Sequence, residues 1–127
     1  MTLLFFAVSF CTAQTPMKSK VAMTFDKEHI SLGKVKRGEI RTFEYTFTNT
    51  GTDVIQIDQV SSCSCTKTDF PIRKILPGQK AKIKVTFDST EKEKSETVDV
   101  DVYLKNIDPI TDSQILKILT YSFELAK

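Results

Sequence analysis

The chain has 127 residues, 40% hydrophobic and 27% charged, and its 18 basic and 16 acidic side chains leave a formal charge of +2. That is the size and balance of one globular domain with a single core, which excludes a disordered chain and a two-domain chain. So small a charge excludes a strong field for nucleic acid, and a lone histidine, His29, with no tryptophan, excludes a site built on two imidazoles of the chain.

In chain order, the first signal is residues 3–10, LLFFAVSF, an apolar run within the roughly 7 to 15 residues of a signal-peptide core and short of the roughly 18 a spanning helix needs. Small side chains at Cys11 and Ala13 suit a peptidase, so residues 1–13 read as a signal peptide cut between Ala13 and Gln14. No membrane span is expected. Cys11 offers a lipoprotein alternative, against which Phe10 stands where that processing wants a small residue, and a buried N-terminal strand is the third reading. No Lys or Arg precedes the apolar run, which leaves open whether Met1 is the true start.

From Gln14 to Lys127 the apolar pattern has period two between turn signals and no long helical period, which predicts an all-β fold. Val21 to Phe25 and Ile30 to Val35 read as the first strands, and His29 between them as a solvated or core-edge side chain. Arg41 to Phe47 is a clear strand, with Phe43, Tyr45 and Phe47 on one face; it ends at Asn49-Thr50-Gly51, where glycine tolerates positive φ. Val54 to Val60 follows at hairpin distance, with Val60 out of phase in a way that suits a bulge.

Pro77-Gly78 fits a type II turn. After it Ala81, Ile83, Val85 and Phe87 alternate with Lys80, Lys82, Lys84 and Thr86. The mixed-charge run Glu91 to Glu96 reads as a solvated turn. Val98, Val100, Val102 and Leu104 form the next inward face, opposed by Asp99, Asp101 and Tyr103; residues 106–112 read as a loop. Leu119, Tyr121, Phe123 and Leu125 make the last face. About seven strands result, the number in a constant-type immunoglobulin sandwich, so residues 14–127 are expected to form one immunoglobulin-like antiparallel β-sandwich.

The order Leu32-Gly33-Lys34-Val35, Gly38-Glu39, Phe47-Thr48-Asn49-Thr50-Gly51, Ser62-Cys63-Ser64-Cys65-Thr66, Leu76-Pro77-Gly78 and Val85-Thr86-Phe87-Asp88 resembles the bacterial domain-of-unknown-function 1573 family. The resemblance implies an immunoglobulin-like domain of an exported bacterial protein, common in the Bacteroidetes. It also implies kinship with major sperm protein and the cilium and centrosome domains of that shape (ASPM/SPD/Hydin type). The family's usual Ser-Cys-Gly-Cys-Thr carries Ser64 at the glycine here, which argues against a tight glycine turn between the cysteines. Leu119-Thr120-Tyr121 also departs from a frequent glycine. The resemblance implies a fold and no settled activity.

Cys63 and Cys65 are the thiols left after signal cleavage, in an oxidising compartment. In an extended strand their Cα atoms stand about 6.5 Å apart, near the upper limit for a disulfide, so a bond needs a local bend. Closing a three-residue loop adds little stability and such a bond is labile, which points to redox exchange; kept reduced, the pair suits a soft ion such as Cu(I). Zinc wants two more ligands, which the positions of His29, Met17, Met23 and Asp69 do not supply. The plainer reading is two compact apolar side chains beside a strand end, with or without a bridge that has no function of its own.

The leading functional expectation is an exported, periplasmic or extracellular, non-catalytic binding or structural module of the cell envelope, contacting a protein or glycan through sheet edges or loops. The alternative is a copper-binding or redox protein using Cys63 and Cys65. A hydrolase built on a carboxylate pair comes last, since no such pair can be placed across a cleft. No catalytic residue, metal ligand or cofactor is assigned beyond the two thiols.

Overall fold

The computed structural model describes residues 21–126, so the expected signal segment, with Cys11, Ala13 and Gln14, lies outside the described residues. Eight strands follow in order: β1 Met23–Phe25, β2 His29–Lys36, β3 Ile40–Asn49, β4 Ile57–Ser61, β5 Thr66–Asp69, β6 Lys80–Asp88, β7 Glu96–Asp108 and β8 Ser113–Ala126. They form two sheets, β1-β3-β6-β5 and β2-β8-β7-β4. The all-β immunoglobulin-like sandwich expected from the alternation is the fold, with eight strands among the described residues where about seven were read. Among these residues no helix is long and apolar enough to cross a membrane.

The inward faces are those the period-two pattern marks. Ala81, Ile83, Val85 and Phe87 of β6 are buried against Val98, Val100, Val102 and Leu104 of β7 and Leu119, Tyr121 and Phe123 of β8, while Lys80, Lys82 and Lys84 face water. Tyr45 and Phe47 are buried from β3 and Phe43 is half-buried. Aromatic rings knit the middle of the core: Tyr121 meets Phe43 edge-on at 4.9 Å and Phe87 at 5.3 Å, distances at which ring quadrupoles attract.

Several local expectations are corrected. β3 and β4 form no hairpin: β3 pairs with β1 and β6, whereas β4 crosses to the other sheet and pairs with β7. The buried Asn49 makes this possible, because its Nδ2 donates to the Asp53 and Ile75 carbonyls and its Oδ1 accepts from Gly51 N–H, which satisfies backbone groups left over at the crossing. Gly51 does not take positive φ; the Asn49 side chain shapes the turn instead. Strand β4 begins at Ile57 rather than Val54, and its register slips between Ile57 and Gln59, the bulge that brings Val60 into phase opposite Val102.

Strand β2 runs parallel to β8, so the sandwich is not wholly antiparallel, and the register breaks between Ser31 and Lys34 around Gly33 at φ 72°. Pro77-Gly78 forms the type II turn, with Gly78 at φ 88° and Gln79 N–H bonded to the Leu76 carbonyl at 2.9 Å. The expected loop at 106–112 shrinks to residues 109–112, because β7 continues to Asp108 and β8 starts at Ser113. The run Glu91 to Glu96 is mostly exposed, yet Lys92 pairs with Glu96 at 2.7 Å and its carbonyl accepts from Arg37 Nε.

Candidate functional site: the cysteine turn

Between β4 and β5 the chain leaves one sheet and enters the other through Ser62-Cys63-Ser64-Cys65. Thr66 N–H donates to the Cys63 carbonyl at 3.0 Å, so residues 63–66 close a β-turn. Ser64 is not among the residues at positive φ, so the turn closes without the positive-φ geometry that a glycine would permit. The bend brings the Cα atoms of Cys63 and Cys65 to 5.2 Å, and the two are joined by a disulfide. The crossing is pinned on both sides: Ser62 Oγ donates to the Asp99 carbonyl on β7 and Asp88 N–H of β6 donates to the Cys65 carbonyl.

Beneath the turn lies a hydroxyl pair. Thr66 Oγ1 and the Tyr121 hydroxyl are 2.6 Å apart, Cys63 Sγ lies 3.2 Å from Thr66 Oγ1, and Cys65 Sγ lies 3.5 Å from Thr66 Oγ1 and 3.9 Å from the Tyr121 hydroxyl. Burial pushes the Tyr121 phenol above its ordinary value, while the Thr66 hydrogen bond pulls the other way. Both cysteines are half-buried and pack on the core.

Cys63, but not Cys65, lines a cleft of about 400 Å³ together with Ser61, Ser62, Glu96, Asp99 and Asp101. Glu96 is paired with Lys92, whereas Asp99 and Asp101 make no ion pair among the described residues. Among the described residues one buried side-chain oxygen, Asp101 Oδ1, has no hydrogen-bond partner. The sequence placed Asp99 and Asp101 on the outward face of β7 correctly; that this face reaches Cys63 follows only from the β4–β7 pairing, Ser61 opposite Asp101.

The sequence-predicted residues divide accordingly. Cys63 and Cys65 come together; His29 does not join them, and is exposed with Nδ1 against Thr120 Oγ1 at 2.8 Å and Nε2 against Ser122 Oγ at 3.0 Å. Among the described residues no three His, Cys, Asp or Glu side chains converge as a metal site. Thr66, Tyr121 and the cleft carboxylates were missed as neighbours of the thiols. A second surface was also missed: on the β7–β8 hairpin Ile107, Ile110, Leu116 and Ile118 are exposed by 51%, 89%, 43% and 49%. Leu116 stands opposite Tyr103 and Ile118 opposite Asp101, so they share the outer face.

Known proteins share this architecture. The ASH/PapD-like domain of human CEP192 is similar over 97% of this chain and 98% of its own, with a TM-score of 0.66 at 12% identity. A protein of unknown function from Porphyromonas gingivalis W83 is similar over 89% of this chain and 50% of its own, with a TM-score of 0.67 at 19% identity. Part of the secreted serine protease VesC from Vibrio cholerae, 23% of that chain, covers 83% of this one with a TM-score of 0.62 at 16% identity. At such identities these likenesses establish the fold alone. A comparison with curated proteins finds no match. The family model described as a protein of unknown function (DUF1573) matches residues 23–118, and the chain belongs to that family.

Proposed function

We propose that the protein is a non-catalytic binding module exported to the bacterial cell envelope, where the outer face of the β7–β8 hairpin docks a partner protein. The observation that carries this reading is the row of exposed aliphatic side chains, Ile107, Ile110, Leu116 and Ile118, on one hairpin. Covering exposed aliphatic side chains gains free energy in proportion to the apolar area removed from water, so their gathering on one hairpin marks it as a docking surface. Aliphatic side chains suit a protein surface better than a glycan, whose rings stack on aromatic faces; Tyr103, opposite Leu116, is half-buried. The variant Ile110→Asp/Ile118→Lys should keep wild-type stability and lose a partner that co-purifies with the wild-type protein from envelope extract; retention of that partner contradicts the reading.

Export rests on residues 3–10 and the Ala13-Gln14 junction, and is supported by the occurrence of a similarly shaped domain in a secreted Vibrio cholerae protease. Intact mass of the protein from its host should correspond to a chain starting at Gln14. A lipid on Cys11 or a retained Met1 contradicts this cleavage.

A further inference from the structure

The disulfide joins residues two apart in sequence, and the chain entropy that a cross-link removes from the unfolded state rises with the logarithm of loop length. So short a loop makes the bond a weak staple, and its reduction costs the fold little. Its two sulfurs also have unequal surroundings. Both lie near Thr66 Oγ1, Cys63 Sγ at 3.2 Å and Cys65 Sγ at 3.5 Å, but Cys63 lines the cleft, whereas Cys65 alone also has the Tyr121 hydroxyl beside it, at 3.9 Å.

Thiol–disulfide exchange needs a thiolate to reach one sulfur while the other departs as a thiolate, and the sulfur that departs more easily is the one whose anion is better stabilised. An attacker entering from the cleft meets Cys63. Cys65 then departs beside the Tyr121 hydroxyl, which neighbours Cys65 Sγ and can turn its proton toward the anion, and a hydrogen bond to a charged acceptor is stronger than one to a neutral acceptor. We propose that the Cys63–Cys65 turn is a thiol–disulfide exchange site, attacked at Cys63 by a neutral or cationic thiol, with Cys65 as the leaving group.

The chemistry balances. The incoming thiolate sulfur bonds to Cys63 Sγ, the Cys63–Cys65 bond breaks, and its electron pair goes to Cys65 Sγ, which takes a proton from water. When the reductant is a dithiol, its second thiolate attacks the mixed disulfide and expels Cys63. The reductant leaves as a disulfide, and the protein has gained two electrons and two protons. The preference for charge comes from Asp99 and Asp101, which line the cleft without an ion pair, while Lys92 offsets Glu96. Negative charge lining the cleft through which the attacker arrives repels an anionic thiol and attracts a cationic one.

The test treats the oxidised full chain, natively folded, with cysteamine, 2-mercaptoethanol or glutathione at equal thiolate concentration, quenches with acid, and locates the adduct by intact mass and peptide fragmentation. The adduct should sit on Cys63, with cysteamine fastest and glutathione slowest by about fivefold or more. Asp99→Asn/Asp101→Asn should collapse that spread. Absence of adduct, an adduct on Cys65, or the same spread in the Asp99/Asp101 variant would overturn the proposal. Alkylation of the single-cysteine variants gives an independent reading: Cys63 in Cys65→Ser should react with iodoacetamide faster than Cys65 in Cys63→Ser, and equal rates count against the assignment.

Discussion

Thr66 and Tyr121 tie the two sheets together through hydroxyls 2.6 Å apart, one on the first residue of β5 and the other on a fully buried phenol of β8. The contact lies under the turn where the chain crosses between sheets, so it holds the crossing as well as the core beside it.

Removing either hydroxyl tests that tie. Thr66→Val leaves the buried Tyr121 hydroxyl with only the distant Cys65 Sγ, 3.9 Å away, and should cost about 1–3 kcal/mol, whereas Tyr121→Phe removes the buried polar group itself and should cost about 0.5–1.5 kcal/mol. Urea unfolding of both variants and the double variant should show a double loss smaller than the sum of the singles. Additive losses would mean that the pair does not interact.

The facing of β6 makes a second test. Val85 is fully buried and Lys84 faces water, so Val85→Ala should cost about 2 kcal/mol and Lys84→Ala under about 0.5 kcal/mol. Equal costs in denaturant unfolding would place the strand one residue out of register, which turns every side chain to the other face.

Alkali should destabilise the fold through its buried phenols. Burial holds the Tyr45 phenol well above its ordinary value, with the neighbouring Tyr121 adding to the effect, and burial also raises Tyr121. In the unfolded chain both ionise near pH 10, so above that the unfolded state binds fewer protons than the native state and stability falls as pH rises. Urea midpoints should hold up to about pH 9.5 and drop beyond it, and Tyr45→Phe should flatten the drop. An unchanged slope in that variant would remove Tyr45 from the explanation.

The parts of this fold legible in the sequence are those set by local alternation. Ala81 to Phe87 and Val98 to Leu104 announce their inward faces residue by residue, and Leu76-Pro77-Gly78 announces its turn, because each depends on neighbours within a few positions. The crossing of β3 into β4 was not legible, since Asn49 directs it by bonding the carbonyl of Ile75, 26 residues away. The parallel β2–β8 pairing joins His29 to Thr120 and likewise has no local signature. At the candidate site the two thiols stood out in the sequence. Their setting did not, because Tyr121 lies 56 residues from Cys65 and the Asp99–Asp101 face arrives only through strand pairing.

The reading of the protein as a docking module is tested most directly by where it touches its neighbours in the native envelope. A photo-reactive phenylalanine analogue at position 110, on the tip of the β7–β8 hairpin, and another at position 82, exposed on the opposite sheet, should be compared by cross-linking in the host. The reading predicts that position 110 captures one defined envelope protein, that Ile118→Lys abolishes this product, and that position 82 does not yield it. Capture of that protein from position 82, or no product from position 110, would contradict it.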